Sequence, residues 1–153
     1  MSSEIILLEP VTRSLCHALL SAWEEGMHPP VRVTHTLRTW DEQLHLWAQG
    51  RRLDGKVWVV VDPKRVVTKA QPGESAHNYG AAFDVCFAGT DPYLHKHEVE
   101  HGTTDPLWQL LGETGVRVGL DWGGPLGPND RFTFDRPHFQ RPDWKKFKTG
   151  GQV

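Results

Sequence analysis

Two short segments of this 153-residue chain carry polar side chains whose types and spacing suit a metal centre. In the first, residues 75–84, His77 lies on a loop rich in small and polar residues, and Asp84 follows seven positions later. Phe83 and Val85 flank Asp84, which predicts that its carboxylate enters an apolar strand. A carboxylate in such a place must be paired or must bind a metal, because burying an unpaired charge is expensive.

The second segment, residues 135–140, carries Asp135 and His138 into another short apolar run. Ligands of the types His, Asp and His suit a catalytic Zn²⁺ whose fourth position is open for water. Asp135 precedes the last of these by three positions, so it could accept a proton from that water. Spacing alone also allows a purely structural interpretation, in which His77 caps a loop, Asp84 pairs with an arginine and Asp135 forms a turn.

The composition excludes several classes of protein. Seventeen basic and 19 acidic side chains give a formal charge of −2, which argues against holding nucleic acid or an anionic surface by bulk electrostatics. The two cysteines, Cys16 and Cys86, are too few for a disulfide scaffold or a cysteine-rich zinc module. Nine histidines are a large number for a chain with an isoelectric point near 6.5, and histidine is the commonest metal ligand.

The first ten residues do not resemble a signal peptide, because they have no basic region and their apolar run is short. No stretch approaches the ~20 apolar residues that cross a bilayer. We therefore expect synthesis in the cytoplasm without a signal peptide, and no stable insertion into a membrane.

Periodicity and punctuation predict a single α+β domain over residues 1–148, with a frayed tail over 149–153. Helices are predicted over residues 12–25, 39–50, 105–115 and 142–148. Strands are predicted over residues 31–36, 57–61, 66–69, 81–87, 116–122 and 136–140, with 57–61 and 66–69 paired around Asp62-Pro63. Residues 88–104 are predicted to be irregular.

The pattern S-x-H-x-x-G-x-A-x-D over 75–84, followed by D-x-x-H-F over 135–139, resembles a family of peptidoglycan hydrolases. These are the zinc D-Ala-D-Ala carboxypeptidases and L-alanyl-D-glutamate endopeptidases, and the resemblance is greatest to phage endolysins that cut between L-alanine and D-glutamate. Supporting motifs occur in the family's order at 37–39, 43, 48–51, 67–70 and 119–124. The resemblance covers residues 32 to 140 and implies the hedgehog/D-Ala-D-Ala-peptidase-like fold, a small antiparallel sheet flanked by helices.

Carried over position by position, the resemblance implies that His77, Asp84 and His138 bind a single Zn²⁺. It places Asp135 where the family has its catalytic carboxylate. The carboxypeptidase and dipeptidase branches generally have glutamate there, so the aspartate favours the endolysin branch.

Three further residues receive roles from the resemblance, each with an alternative. Arg38 matches a substrate and oxyanion clamp, whereas an ordinary ion pair with Asp41 or Glu42 is the structural alternative. Ser75 is expected to hydrogen-bond substrate or orient a ligand, unless its hydroxyl only caps the loop. Trp122 is expected to line the substrate cleft, unless it is a core tryptophan.

Some residues depart from the family pattern. Gln140 stands where relatives often have glutamate, which affects a contact behind the metal ligands. His95, His97 and His101 form either a second metal site or part of a solvated loop. The remaining histidines have no functional argument: His17, His28, His35 and His45.

The sequence as a whole predicts a zinc-dependent endopeptidase that cleaves the L-alanyl-D-glutamate bond of the peptidoglycan stem peptide, as a phage-type endolysin. The alternatives are a D-Ala-D-Ala carboxypeptidase and a catalytically silent zinc-binding domain. The expected partner is the stem peptide, with no nucleic acid, and the protein is expected to be a monomer. Its release to the cell wall is expected to need a separate holin-type protein.

Overall fold

A computed structural model describes residues 1–124 and 135–150 of the chain, with side chains up to residue 148. The helices are α1 Pro10–Glu25, α2 Trp40–Ala48, α3 His95–His101, α4 Pro106–Val118 and α5 Lys146–Gly150, with short 3₁₀ helices at Ile5–Leu7, Pro63–Arg65 and Ala76–Tyr79. The strands are β1 Val31–His35, β2 Arg51–Asp54, β3 Val57–Val60, β4 Ala82–Phe87, β5 Asp121–Trp122 and β6 His138–Gln140. This confirms the predicted α+β class.

The larger sheet has the strand order β1-β4-β6-β5, and every neighbouring pair is antiparallel. Because side chains alternate along a strand, Phe83, Val85 and Phe87 of β4 enter the main core while Asp84 points to the other face. The main core also contains side chains of α1 and α4, such as Leu19. The apolar core therefore lies on one face of the sheet, and the polar residues of interest lie on the other.

Local capping explains where two helices begin. α2 begins with the predicted capping box, in which the Thr39 hydroxyl accepts from the Glu42 amide and the Glu42 carboxylate accepts from the Thr39 amide. α1 begins two residues earlier than predicted, because Glu9 caps it and Pro10 occupies the first helical position. The Glu9 carboxylate also accepts from buried Arg141 at 2.9 Å, which ties this helix to the segment after β6.

The predicted pairing of 57–61 with 66–69 is wrong. β3 pairs instead with β2, and the turn between them contains Gly55 at φ +62°. Asp-Gly is a strong hairpin signal, because glycine adopts positive φ without steric cost. Residues 66–70 are held by side chains rather than by a partner strand. The Thr68 carbonyl accepts from the Arg51 side chain, and the Ala70 carbonyl accepts from the Gln43 side chain.

The predicted strand over 116–122 is also wrong for most of its length. α4 continues to Val118 and is capped by Gly119, which has a φ of +108°. The Gly119 backbone N–H donates hydrogen bonds to the carbonyls of Gly115 and Val116. Val118 packs against the main core from the helix. Only Asp121–Trp122 forms a strand.

The segment predicted to be irregular contains α3. The Asp91 carboxylate accepts from the backbone amides of His95 and Lys96, at 3.0 and 2.8 Å, and so stabilises the start of this helix. An aspartate four positions upstream is a weak sequence signal, which is why the pattern did not indicate a helix.

At the C-terminal end, α5 includes residues 149 and 150, the first two of the predicted frayed tail. Residues 151–153 lie outside the described residues, as do residues 125–134 of the loop before Asp135. The domain boundary at residue 148 stays a prediction. Within the described ranges, no helix has both the length and the apolar content that crossing a bilayer requires.

Two glycines of α4 allow the helix to approach the aromatic core closely. A Cβ added at Gly115 would lie 2.4 Å from Cε1 of Phe139, and one at Gly112 would lie 2.2 Å from Cδ2 of Trp122. Both distances are shorter than any ordinary contact, and both aromatic rings are buried. The helix therefore needs glycine at these positions.

We expect Gly115→Ala to destabilise the protein. Overpacking a core costs about 1–3 kcal/mol, which exceeds the gain of about 1 kcal/mol that alanine normally gives over glycine in a helix. Urea unfolding followed by circular dichroism measures the difference. Glu113→Ala, at an exposed position of the same helix, is the control and should change the free energy of unfolding by about 0.5 kcal/mol or less. A Gly115→Ala protein as stable as wild type would contradict this packing.

Candidate functional site

Asp84 lies at the centre of a row of polar side chains that crosses three strands. In the sheet register Asp84 is opposite His138 of β6 on one side and opposite His35 of β1 on the other. Its Oδ1 is 3.1 Å from Nδ1 of His138 and 3.2 Å from Nε2 of His77, which lies on the 3₁₀ helix Ala76–Tyr79. Its Oδ2 is 3.3 Å from Nδ1 of His35. Residues distant in sequence therefore converge on one carboxylate.

The ring of His77 is fixed from behind. Its Nδ1 is 2.7 Å from the carbonyl oxygen of buried Thr36, and the side chain is only 3% exposed. A carbonyl only accepts, so Nδ1 carries a hydrogen, and Nε2 is the nitrogen that faces Asp84. Gly80, at φ +64°, ends the 3₁₀ helix and directs the chain back into β4.

The ring of His138 is fixed in a similar way by Gln140, two residues along β6. The Gln140 Oε1 atom is 2.9 Å from Nε2 of His138, and Gln140 itself is buried. The departure from the family's usual glutamate therefore preserves a contact behind His138. Nδ1 of His138 is left facing Asp84.

The three predicted metal ligands fit a metal ion. Single ligand atoms of His77, Asp84 and His138 all lie within 4.8 Å of one another, and no other group of three or more His, Cys, Asp or Glu residues in the described ranges does so. When both rings are neutral, with their hydrogens on the outer nitrogens, each turns an electron pair toward the carboxylate, as metal ligation requires. Three ligand atoms at these distances suit a cation bound between them.

The protonation states of the three residues depend on their mutual contacts. Burial opposes the charge on Asp84, but hydrogen bonds from His138, His35 and His77 hold the pKa of its carboxyl far below the ordinary value. Burial lowers the pKa of His77, although Asp84 acts in the opposite direction. For His138 burial also disfavours the charge, but the hydrogen bond to Asp84 prevails and raises the pKa. An ionised carboxylate and a neutral His77 are the forms that ligate metals, whereas His138 must release its proton to do so.

Arg38 lies beside this group. Its backbone amide donates to the His77 carbonyl, and its own carbonyl accepts from the Asn78 side chain, both at 3.0 Å. Burial lowers the pKa of Arg38, while the charges of Asp84, Glu42 and Asp135 act to raise it. The guanidinium therefore interacts electrostatically with the carboxylates of Asp84 and Asp135.

The structural alternative for Arg38, an ion pair with Asp41 or Glu42, is absent from the described part of the chain. Glu42 instead lies 2.5 Å from the amino group of Met1 and caps α2. Arg38 donates from Nη1 to Oε1 of Gln43 at 3.0 Å. Its Nη2 donates to Sδ of Met1 at 3.5 Å, a weak acceptor, and no carboxylate among the described residues pairs with the guanidinium.

Asp135 lies at the exposed edge of the site. Its backbone amide donates to the Gly123 carbonyl at 2.8 Å, and its carbonyl accepts from the His138 amide at 3.0 Å. Partial removal from water raises the pKa of its carboxyl, and the negative charge of Asp84 adds to the effect. A carboxyl with a raised pKa is a stronger base than an ordinary aspartate.

Ser75 and Trp122 have different outcomes. Ser75 is half-buried just before the 3₁₀ helix, and its hydroxyl does not cap that helix, so the capping alternative is not observed. The prediction that Trp122 lines the substrate cleft is wrong, because its side chain lies in the main core and is only 3% exposed. Its indole N–H donates to the Arg136 carbonyl at 2.7 Å, which satisfies its only polar group inside the core.

The histidines of α3 form no second gathered group. His95 pairs with Glu98, His97 lies 3.8 Å from Asp105, and the rings of His97 and His101 are 4.4 Å apart. None of the three joins a set of three ligand atoms within 4.8 Å in the described residues. The geometry therefore favours ordinary contacts on a polar helix.

The residue that sequence reasoning missed is His35. Alternation along β1 places it with Val31 and Val33, which pack against the core, so nothing in the pattern indicated a place in the site. The structure instead puts it against Asp84. Its place in the site comes from an irregularity in the pairing of β1 with β4, which the amino-acid pattern does not indicate.

Comparison with known proteins supports the interpretation of this geometry. Residues 68–141 match the profile of the D-alanyl-D-alanine carboxypeptidase family. The chain is 29% identical over 146 residues to the peptidoglycan L-alanyl-D-glutamate endopeptidase CwlK of Bacillus subtilis (strain 168), covering 92% of this chain and 69% of that protein.

Solved structures share the fold. The LdcB LD-carboxypeptidase matches with a TM-score of 0.63 at 14% identity, over 94% of this chain. The chain spans 64% of the length of LdcB. A VanY D,D-pentapeptidase from a VanB-type vancomycin resistance cassette, in complex with Zn(II), matches with a TM-score of 0.53 at 17% identity, over 94% of this chain and 79% of the other. These structural matches confirm the predicted fold. The family profile and the similarity to CwlK confirm the predicted family resemblance and the predicted class of enzyme, a metallopeptidase.

We expect His77→Ala and His138→Ala each to lose bound zinc, because each removes one of three gathered ligand atoms. Zinc per chain is measured by inductively coupled plasma mass spectrometry after zinc loading and dialysis, with folding checked by circular dichroism. Wild type should retain about one ion, as expected for a single three-ligand site. His95→Ala, on exposed α3, is the control and should match wild type. Full zinc content in folded His77→Ala and His138→Ala proteins would contradict the assignment.

Proposed function

We propose that this metallopeptidase is a zinc-dependent peptidoglycan endopeptidase that cleaves the bond between L-alanine and D-glutamate in the stem peptide. The observation that carries the proposal is the convergence of His77 and His138 on the Asp84 carboxylate. Asp135 and Arg38 lie beside these three residues. The similarity to an L-alanyl-D-glutamate endopeptidase over 92% of the chain supports the choice of substrate.

In this proposal Zn²⁺ would be held by His77, Asp84 and His138, through the nitrogens and the carboxylate oxygen that face one another. A zinc ion bound there supplies Lewis acidity to the scissile carbonyl and makes water acidic enough to attack near neutral pH. The fold contributes ligand orientation, since Thr36 and Gln140 hold the outer nitrogens of the two rings.

Asp135 is proposed to carry the proton. Its carboxylate accepts a proton from the attacking water and then donates it to the nitrogen of the leaving amine, which completes peptide-bond hydrolysis. The raised pKa suits both steps, because the group must bind the proton and later release it. Its exposed position gives it access to substrate that the ligand His77 does not have.

Arg38 is proposed to stabilise negative charge on the substrate oxygen. A guanidinium remains charged and can donate two hydrogen bonds in a fixed plane, which suits an oxyanion or a carboxylate. Its backbone contacts to His77 and Asn78 hold it at the edge of the site. Ser75, whose hydroxyl does not cap the adjacent helix, is proposed to hydrogen-bond the peptide.

A second candidate function is a carboxypeptidase that trims D-Ala-D-Ala ends, which the description of the matched family profile favours. Aspartate rather than glutamate at position 135 favours the endopeptidase instead, together with the similarity to CwlK. We extend the proposal to a monomeric phage-type endolysin that reaches the cell wall through a separate holin-type protein. That extension rests on the resemblance to the endolysin branch.

The bond cut is measured by mass spectrometry of purified sacculi and stem pentapeptides digested with zinc-loaded protein. We expect products in which L-alanine stays on the glycan and the released peptide begins with D-glutamate. Loss of a single terminal D-alanine would contradict the endopeptidase and favour the carboxypeptidase. Zinc-loaded protein that releases no product would favour a silent zinc-binding domain.

We expect Asp135→Asn to retain zinc and to lose turnover by about 10²–10⁴-fold, because an amide cannot carry the proton. Product release from sacculi and zinc content are measured on the same preparation. Asp54→Asn, on the exposed β2–β3 turn, makes the same chemical change away from the site and should retain full activity. Full turnover in Asp135→Asn would refute the role of this carboxylate.

A further inference from the structure

The two oxygens of the Asp84 carboxylate have different neighbours. Oδ1 faces His77 and His138, at 3.2 and 3.1 Å. Oδ2 lies 3.3 Å from Nδ1 of His35, and the same nitrogen lies 3.2 Å from the hydroxyl oxygen of Thr34. One oxygen is therefore directed into the site while the other is held at its outer side.

A β-bulge puts His35 in this position. In the β1–β4 pair, Val33 is opposite Val85, but the next paired residue is His35, which is opposite Asp84, and Thr34 is the extra residue. Regular pairing would have placed Thr34 opposite Asp84 and turned His35 toward the core side with Val33. Bulges re-aim side chains in this way and are frequent next to functional sites.

Each of the other two proposed ligands already has a partner behind it. His77 is held by the Thr36 carbonyl, and His138 is held by the Gln140 amide oxygen. Such outer partners fix the orientation of metal ligands, and losing one typically weakens metal binding by about 10–100-fold. His35 is the corresponding partner for Asp84.

We propose that His35 is a positioning residue that holds Oδ2 of Asp84, so that Oδ1 stays directed at the nitrogens of His77 and His138. This inference rests on the metal site of the proposed function. His35 is not one of the three gathered residues, and its ring contacts Oδ2, whereas His77 and His138 contact Oδ1. Its side chain is 38% exposed, so a substitution there leaves the apolar core intact.

The test is the zinc dissociation constant, measured by competition with a chromophoric chelator on purified full-length protein. We expect His35→Ala to bind zinc about 10–100-fold more weakly than wild type. His35→Asn keeps a donor near the position of Nδ1 and should bind zinc more tightly than His35→Ala. His17→Ala, at an exposed position of α1, removes a histidine elsewhere and should leave the constant unchanged.

Thermal unfolding of each metal-free variant separates positioning from stability. Equal zinc affinity in wild type and His35→Ala would overturn the inference, even if His35→Ala melts at a lower temperature, because that result indicates a structural role only. Equal affinity in His35→Asn and His35→Ala would overturn the donor role. If His77→Ala binds zinc as tightly as wild type, the proposed metal site itself is wrong, and that result is distinct from failure at His35.

Discussion

The negative charge of Asp84 in the middle of an apolar strand is the constraint on which the rest of the structure depends. Phe83 and Val85 anchor β4 in the core on either side, so the carboxylate cannot move away to water. A buried charge of this kind is stable only with close partners, and imidazole rings at 3.1–3.3 Å supply them. The arrangement that stabilises the charge also gathers the three proposed metal ligands.

The surrounding elements can be understood as means of bringing those rings to one point. The register between β6 and β4 places His138 opposite Asp84, and His77 lies on the 3₁₀ helix that precedes β4. Strand β1 contributes in two ways. Its bulge places His35 beside Asp84, and the carbonyl of Thr36, just beyond the end of the strand, orients His77. The glycines of α4 let the opposite face of the sheet pack closely, which keeps β6 in place.

The sequence predicted the parts of the site that rest on residue type and order. His77, Asp84 and His138 were identifiable because an acidic residue inside an apolar run needs compensation, and the motif supplied the rest. His35 was not, because its role depends on a pairing shift between strands. Trp122 was misassigned because a motif fixes position in the chain but not which way a ring faces. Likewise, local pattern predicted the capping box of α2 but not the partner of β3, which depends on tertiary contacts.

The most direct test of the central claim is an anomalous difference map, recorded at the zinc absorption edge, from crystals of the zinc-loaded protein. The account predicts a single strong peak at about 2.0–2.2 Å from Nε2 of His77, Nδ1 of His138 and a carboxylate oxygen of Asp84. A map with no peak at these three residues, and with zinc instead bound by the histidines of α3, would contradict it.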